Sequence, residues 1–217
     1  MKNLVPSSKN LILAAALALG LASAASAQSA NVAVPNPADS KATGLLGQNY
    51  VTAGYSYTDI DQVNVHGSTY TLAANQGLRD GLDGVFEYNY TRTSRFAGSQ
   101  RLTQHDILFG ARAFLTSGTV KPYVEAGAGW VWQKGLGASD DSFAWGAGLG
   151  AEFEVANGVS VTPFVRYEDI TRGSNNDSWT YGLKANYWLT HSVGLQAGIS
   201  RDDDQNLTYA IGANFRF

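Results

Sequence analysis

Histidine is the side chain best suited to acid–base chemistry near neutral pH, and this chain has three: His66, His105 and His191. His105 stands beside Asp106, the one place where an imidazole adjoins a carboxylate. In an extended chain sequence neighbours point to opposite faces, so adjacency separates such a pair. No serine, histidine and acid recur at a spacing that marks a nucleophile, and no enzymatic activity is expected. The absence of cysteine excludes thiolate nucleophiles, thiolate metal sites, disulfides and a lipid-bearing N-terminal cysteine. Asp202, Asp203 and Asp204 could attract a divalent cation, but a bare acidic run lacks the fixed oxygen cage that Ca²⁺ prefers and reads as a solvated turn. No metal and no cofactor is expected. Arg92, Arg95, Arg101, Arg172 and Arg201 have the guanidinium geometry that suits phosphate.

The most informative charges fall at alternate positions inside otherwise apolar or glycine-rich stretches. Asp83, Glu87, Asp106, Glu125, Glu152, Glu154 and Glu168 share this setting with Arg112, Arg166, Lys184 and Arg216. Charges confined away from bulk water persist only when paired or hydrated. The elements that hold them must therefore have one apolar face and one face turned to a narrow polar interior.

Period-two alternation supplies such elements. Leu82, Gly84, Phe86, Tyr88 and Tyr90 oppose Asp83, Val85, Glu87 and Asn89. Trp145, Ala147, Leu149, Ala151, Phe153 and Val155 oppose Gly146, Gly148, Gly150, Glu152 and Glu154. The pattern recurs to the last residue, and about ten strands of 9–14 residues are counted, with eight the neighbouring answer. That length crosses an outer membrane at a tilt. Short turns are expected at 78–81, 116–119, 156–158 and 189–192, alternating with longer connections at 59–67, 93–102, 134–141, 171–177 and 201–206.

Composition agrees. The 217 residues include 24 glycines and 12% aromatics, with only 15% charged residues against roughly 25% in a soluble domain. A net charge of −3 gives no electrostatic basis for nucleic-acid binding. Lys2 and Lys9, an apolar run at 11–22 and the small residues Ser23–Ala24–Ala25–Ser26–Ala27 form the pattern of a secretory signal. Residues 1–27 are thus expected to be removed, since the run is too short to span a bilayer as a helix. Residues 28–47, with Pro35 and Pro37 and no period, are expected to be a flexible periplasmic segment, with a short plug into the barrel as the minority reading. The barrel itself is expected over 48–217.

The fold expected is all-β: a closed antiparallel transmembrane β-barrel, with both termini periplasmic. A soluble sandwich or lipocalin-like barrel would put its apolar face inward. Against it, the aromatics sort into belts. With strands running alternately up and down, Tyr55, Tyr57, Tyr88, Tyr90, Trp130, Trp132, Trp145, Tyr167, Tyr181 and Tyr209 fall at the outer end. Phe153, Tyr187, Phe215 and Phe217 fall at the other, as two membrane interfaces select.

With these features the chain resembles small bacterial outer-membrane β-barrel proteins of the opacity-protein and porin-like type. The resemblance covers residues 48–217 and is most specific at Tyr209–Ala–Ile–Gly–Ala–Asn–Phe–Arg–Phe217. It implies an outer-membrane location among lipids and lipopolysaccharide, and Tyr209, Ile211, Phe215 and Phe217 as the signal read by the barrel-assembly machinery. The expected role is structural or that of a narrow pore. Glu87, Arg112, Glu125, Glu152, Glu154, Arg166, Glu168, Lys184 and Arg216 are expected to fill the lumen, with Arg112 and Arg166 bridging to Glu125, Glu152 and Glu154. An outer-rim protease or lipid-modifying barrel, and an adhesin, are the alternatives, the last disfavoured by short loops.

Overall fold

The computed structural model describes residues 44–60, 65–94, 101–135, 138–171 and 177–217. The expected signal and residues 28–43 of the expected leader lie outside them, as do Arg95 and Arg172. Ten strands follow in order: β1 (Tyr50–Ile60), β2 (Val65–Arg79), β3 (Leu82–Thr93), β4 (Thr103–Phe114), β5 (Val120–Gly135), β6 (Ala138–Ala156), β7 (Val159–Ile170), β8 (Asp177–Trp188), β9 (Val193–Asp202) and β10 (Leu207–Arg216). Each pairs antiparallel with its sequence neighbours, and β10 returns to β1, closing the sheet. The protein is an all-β, ten-stranded antiparallel barrel.

Sidedness follows the alternation. In β8 Ser178, Thr180, Lys184, Asn186 and Trp188 are buried, whereas Trp179, Tyr181, Leu183, Ala185 and Tyr187 are exposed. Buried here means lumen-facing: the interior is lined by Thr, Ser, Asn and charged groups, and the outer wall carries Leu72, Phe109, Leu149, Leu183, Leu195 and Ile211. A barrel that is apolar outside and polar inside is inverted relative to a soluble protein, and a bilayer is the solvent that stabilises it. Among the described residues no helix is long and apolar enough to cross a membrane.

Short turns gather at one rim. Gly81 and Gly158 take left-handed backbone there, with φ of +74° and +78°, which turns this tight need of a residue without Cβ. The Phe217 N–H bonds to the Asn49 carbonyl, so both flanks of the barrel meet at the same rim. The opposite rim carries the longer connections. The strands run further into them than the sequence pattern suggests: most of the connection expected at 134–141 is strand, because the β5–β6 ladder continues through Lys134↔Ser139 to Gly135↔Ala138. A two-stranded ladder satisfies its own backbone groups beyond the bilayer, where side chains need not alternate in polarity.

Candidate functional site

The strand registers arrange the inward charges in a row around the wall. Asp83 of β3 faces Arg112 of β4, Arg112 faces Glu125 of β5, Glu125 faces Gly148 of β6, and Gly148 faces Arg166 of β7. Cross-strand neighbours on one face lie about 5 Å apart at Cβ, so acid and base alternate within reach. Arg112, 3% exposed, donates to Glu125 Oε2 through Nε at 3.1 Å and Nη2 at 2.9 Å. Its guanidinium also lies 5.1 Å from the centre of the Tyr123 ring. Arg166 pairs with Glu168, two residues along the same face.

Glycine makes room for these side chains. On the inner face of β6, a Cβ at Gly146 would lie 2.8 Å from Glu168 Cγ, one at Gly148 3.0 Å from Glu125 Oε1, and one at Gly150 2.6 Å from the Tyr123 ring. Three large groups from neighbouring strands therefore lie across three bare backbone positions. Nearer the loop rim, Asn89 Nδ2 donates to both Glu87 (2.5 Å) and Asp106 (2.6 Å), and Gln104 donates to Asp106 at 3.3 Å. Neutral pairs line the inner faces of β1 and β2: Thr52 donates to Asn214, Thr58 pairs with Thr208, and Thr69 with Thr91.

The short-turn mouth is stoppered. Glu152, 1% exposed, accepts the N–H groups of Leu45 at 2.7 Å and Leu46 at 3.0 Å, together with the Ser160 hydroxyl at 3.0 Å. Trp188 Nε1 donates to the Gly44 carbonyl at 3.2 Å. Leu45, Tyr50 and Trp188 form an apolar cluster there, capped by Arg216, whose guanidinium lies 4.0 Å from the Trp188 ring centre. Only residues 44–47 of the segment expected to be loose are described; Gly44, Leu45 and Leu46 are buried in the mouth. Cavities of about 40 Å³ (beside Glu87, Arg112, Glu125 and Arg166) and 20 Å³ (beside Leu46, Arg112, Glu152 and Lys184) sit within the lumen. Each has room for a few waters at most.

All nine residues expected to fill the lumen face inward. Their pairings differ in part from expectation. Arg112 joins Glu125 as anticipated, but the close partner of Arg166 is Glu168, Glu154 pairs with Lys121, and Glu152 holds backbone N–H groups. Lys184 lies 4.8 Å from the Phe164 ring centre. Sequence reasoning missed Lys121, Tyr123, Phe164 and Trp188 as lumen groups of consequence. Alternation puts each on the inner face, and the signal was a large or charged side chain at a position otherwise held by glycine or threonine.

The fourteen residues expected in the aromatic belts all lie on the outer wall. At the loop rim Tyr55, Tyr70, Tyr90, His105 and Trp132 are successive register partners across β1–β5. Trp145, Tyr167 and Trp179 continue the belt with ring centres 5.6 and 5.1 Å apart. His105 accepts or donates through Nδ1 to the Tyr88 hydroxyl at 2.8 Å on the outer face, whereas Asp106 faces the lumen. The wall thus separates them. His66 lies 3.3 Å from Asp59, and His191 is exposed in the β8–β9 turn.

No protein-family description matches the sequence, and no curated protein matches it. Solved structures do. The translocator domain of the autotransporter NalP from Neisseria meningitidis superimposes with a TM-score of 0.56 at 13% identity, covering 96% of this chain and 98% of that one. The NanC porin gives 0.48 at 9% identity, covering 78% and 100%. Neisserial surface protein A gives 0.42 at 17%, covering 78% and 96%. At such identities the likeness is one of fold, and the fold is that of outer-membrane β-barrel proteins.

Proposed function

We propose that this chain is an exported integral outer-membrane protein whose lumen is a narrow path, occluded at rest and admitting no more than water and small ions. The observation that carries this reading is the filled bore: the segment from Gly44 to Gln48 occupies the short-turn mouth, and the Arg112–Glu125 pair crosses the lumen beside it, with Arg112 lining the same small cavity as Leu45 and Leu46. Inward carboxylates outnumber inward cations among the described residues, which favours cations over anions in any residual path. The separation of His105 from Asp106 by the barrel wall favours this role over an outer-rim enzyme. Export would proceed through cleavage after Ala27, and the outward-facing Tyr209, Ile211, Phe215 and Phe217 would engage the assembly machinery.

The test is conductance of the refolded mature chain in planar bilayers. Rare, small, cation-selective openings are expected, with no passage of sugars or peptides in liposome swelling. A large stable conductance would overturn the reading, as would turnover of peptide or lipopolysaccharide abolished by His105→Ala.

A further inference from the structure

The outer wall at the loop rim is electrically divided. On β3, β5 and the segment leading into β4 it presents Arg92, Lys134 and Arg101, all exposed, above the aromatic row. On β6–β8 it presents Asp141, Asp169 and Asp177. The two halves also differ in how their charges are held. Asp141 and Asp169 accept indole N–H bonds from Trp130 at 3.2 Å and Trp145 at 3.1 Å. The three cations have no ion-pair or side-chain hydrogen-bond partner among the described residues; Asp141, opposite Trp132 and diagonal to Lys134, marks the border between the two halves, and its carboxylate accepts the Trp130 indole N–H.

Register fixes their spacing. Arg92 faces Thr103, and Thr103 faces Lys134, so the two cations flank one strand about 10 Å apart. Arg101 is exposed two residues before β4 begins, and its backbone lies beside Gly135, the residue after Lys134. Directly below are Tyr90, His105 and Trp132, the ring types that settle at the boundary between acyl chains and headgroups. A ligand for this patch must be anionic where it meets the cations and apolar one residue-pair lower.

We propose that Arg92, Arg101 and Lys134 form a binding site for the phosphate groups of a phosphorylated glycolipid of the surrounding leaflet, whose acyl chains lie against Tyr90, His105 and Trp132. Guanidinium and ammonium groups converging on phosphate form charge-assisted hydrogen bonds that a neutral headgroup cannot replace. The anionic half repels the same headgroup, so the lipid is taken up on one side of the barrel only. The assignment rests on the outer-membrane reading above for which lipid the patch meets.

The experiment titrates the refolded mature chain in neutral detergent micelles with rough lipopolysaccharide, with the same lipid after enzymatic dephosphorylation, and with inorganic phosphate. Exposed pairs contribute modestly, so the Arg92→Ala/Arg101→Ala/Lys134→Ala variant is expected to bind the intact lipid about 10-fold more weakly. Replacing both arginines by lysine should retain most of the binding, and the Arg79→Ala/Arg201→Ala control should bind like the parent. Equal binding of the dephosphorylated lipid, undiminished binding by the triple variant, or equal loss in the control would each overturn the site. Competition by inorganic phosphate alone at millimolar levels would overturn the lipid as occupant. A Gln205→Cys variant labelled in intact cells tests the location separately. Labelling only after lysis would remove the outer leaflet as the lipid's source, whatever the micelle result.

Discussion

Replacing Glu152 by alanine should unfasten the stopper while leaving the barrel closed. The carboxylate accepts two successive backbone N–H groups, from Leu45 and Leu46. Hydrogen bonds to a charged partner contribute about 1.5–3 kcal/mol each, so their joint loss costs the closed mouth at least about 3 kcal/mol. At about 1.4 kcal/mol per tenfold, the released population rises on the order of 100-fold. Amide hydrogen exchange reads this directly. Leu45 and Leu46 should lose about two orders of magnitude of protection, while Val124 and Leu149, held in the β5–β6 ladder, should keep theirs. Openings in planar bilayers should become correspondingly more frequent. Unchanged protection at Leu45 and Leu46 would refute the clip. Protection lost equally throughout would show instead that Glu152 supports the barrel wall, and Glu152→Gln, which keeps the side-chain volume and one acceptor, should fall between parent and alanine.

Other outcomes follow from the same geometry. Arg112→Ala removes the guanidinium paired with Glu125 in a confined space and should lower stability by about 3–5 kcal/mol in urea-dependent refolding, whereas Arg112→Ala/Glu125→Ala should recover part of that loss. Gly129→Ala drives a Cβ into the Ile107 carbonyl oxygen and should cost about 1–3 kcal/mol or more by the same assay, while Gly84→Ala, whose nearest neighbour would be 3.6 Å away, should be tolerated. Phe217→Ala should reduce the heat-modifiable, folded fraction recovered from outer membranes without changing refolding in detergent, because its 73%-exposed ring makes few contacts within the barrel.

The architecture was legible because a membrane barrel writes both of its environments into alternate residues. In Leu82–Thr93 or Leu207–Arg216 each side chain's face follows from parity alone. Strand ends above the bilayer were less legible, since there both faces meet water and the β5–β6 ladder continues without an apolar signal. Partner choice within the lumen was legible only where a pair sits directly across one ladder step, as with Arg112 and Glu125. Arg166 instead turns along its own strand to Glu168, a contact set by rotamer and by the space over Gly146. The stopper ranked only as the minority reading because residues 44–49 have no period. Its one trace was Leu45–Leu46, an apolar pair in an otherwise small and polar stretch.

The seam between β1 and β10 has a consequence for how the molecule comes into being. Tyr50 pairs with Arg216 and Asp59 with Leu207, so the first strand of the barrel waits for the last. Until β10 is seated, the sheet has two raw margins whose amides can find partners only in another chain or in water. A chain shortened by one strand is therefore not a smaller barrel but an adhesive ribbon. Contacts joining the extremes of the sequence also make the final zippering slow relative to the hairpins that precede it. Quality control on such a molecule needs to inspect only one place, the strand that completes the circle, because every earlier error leaves that circle unable to close.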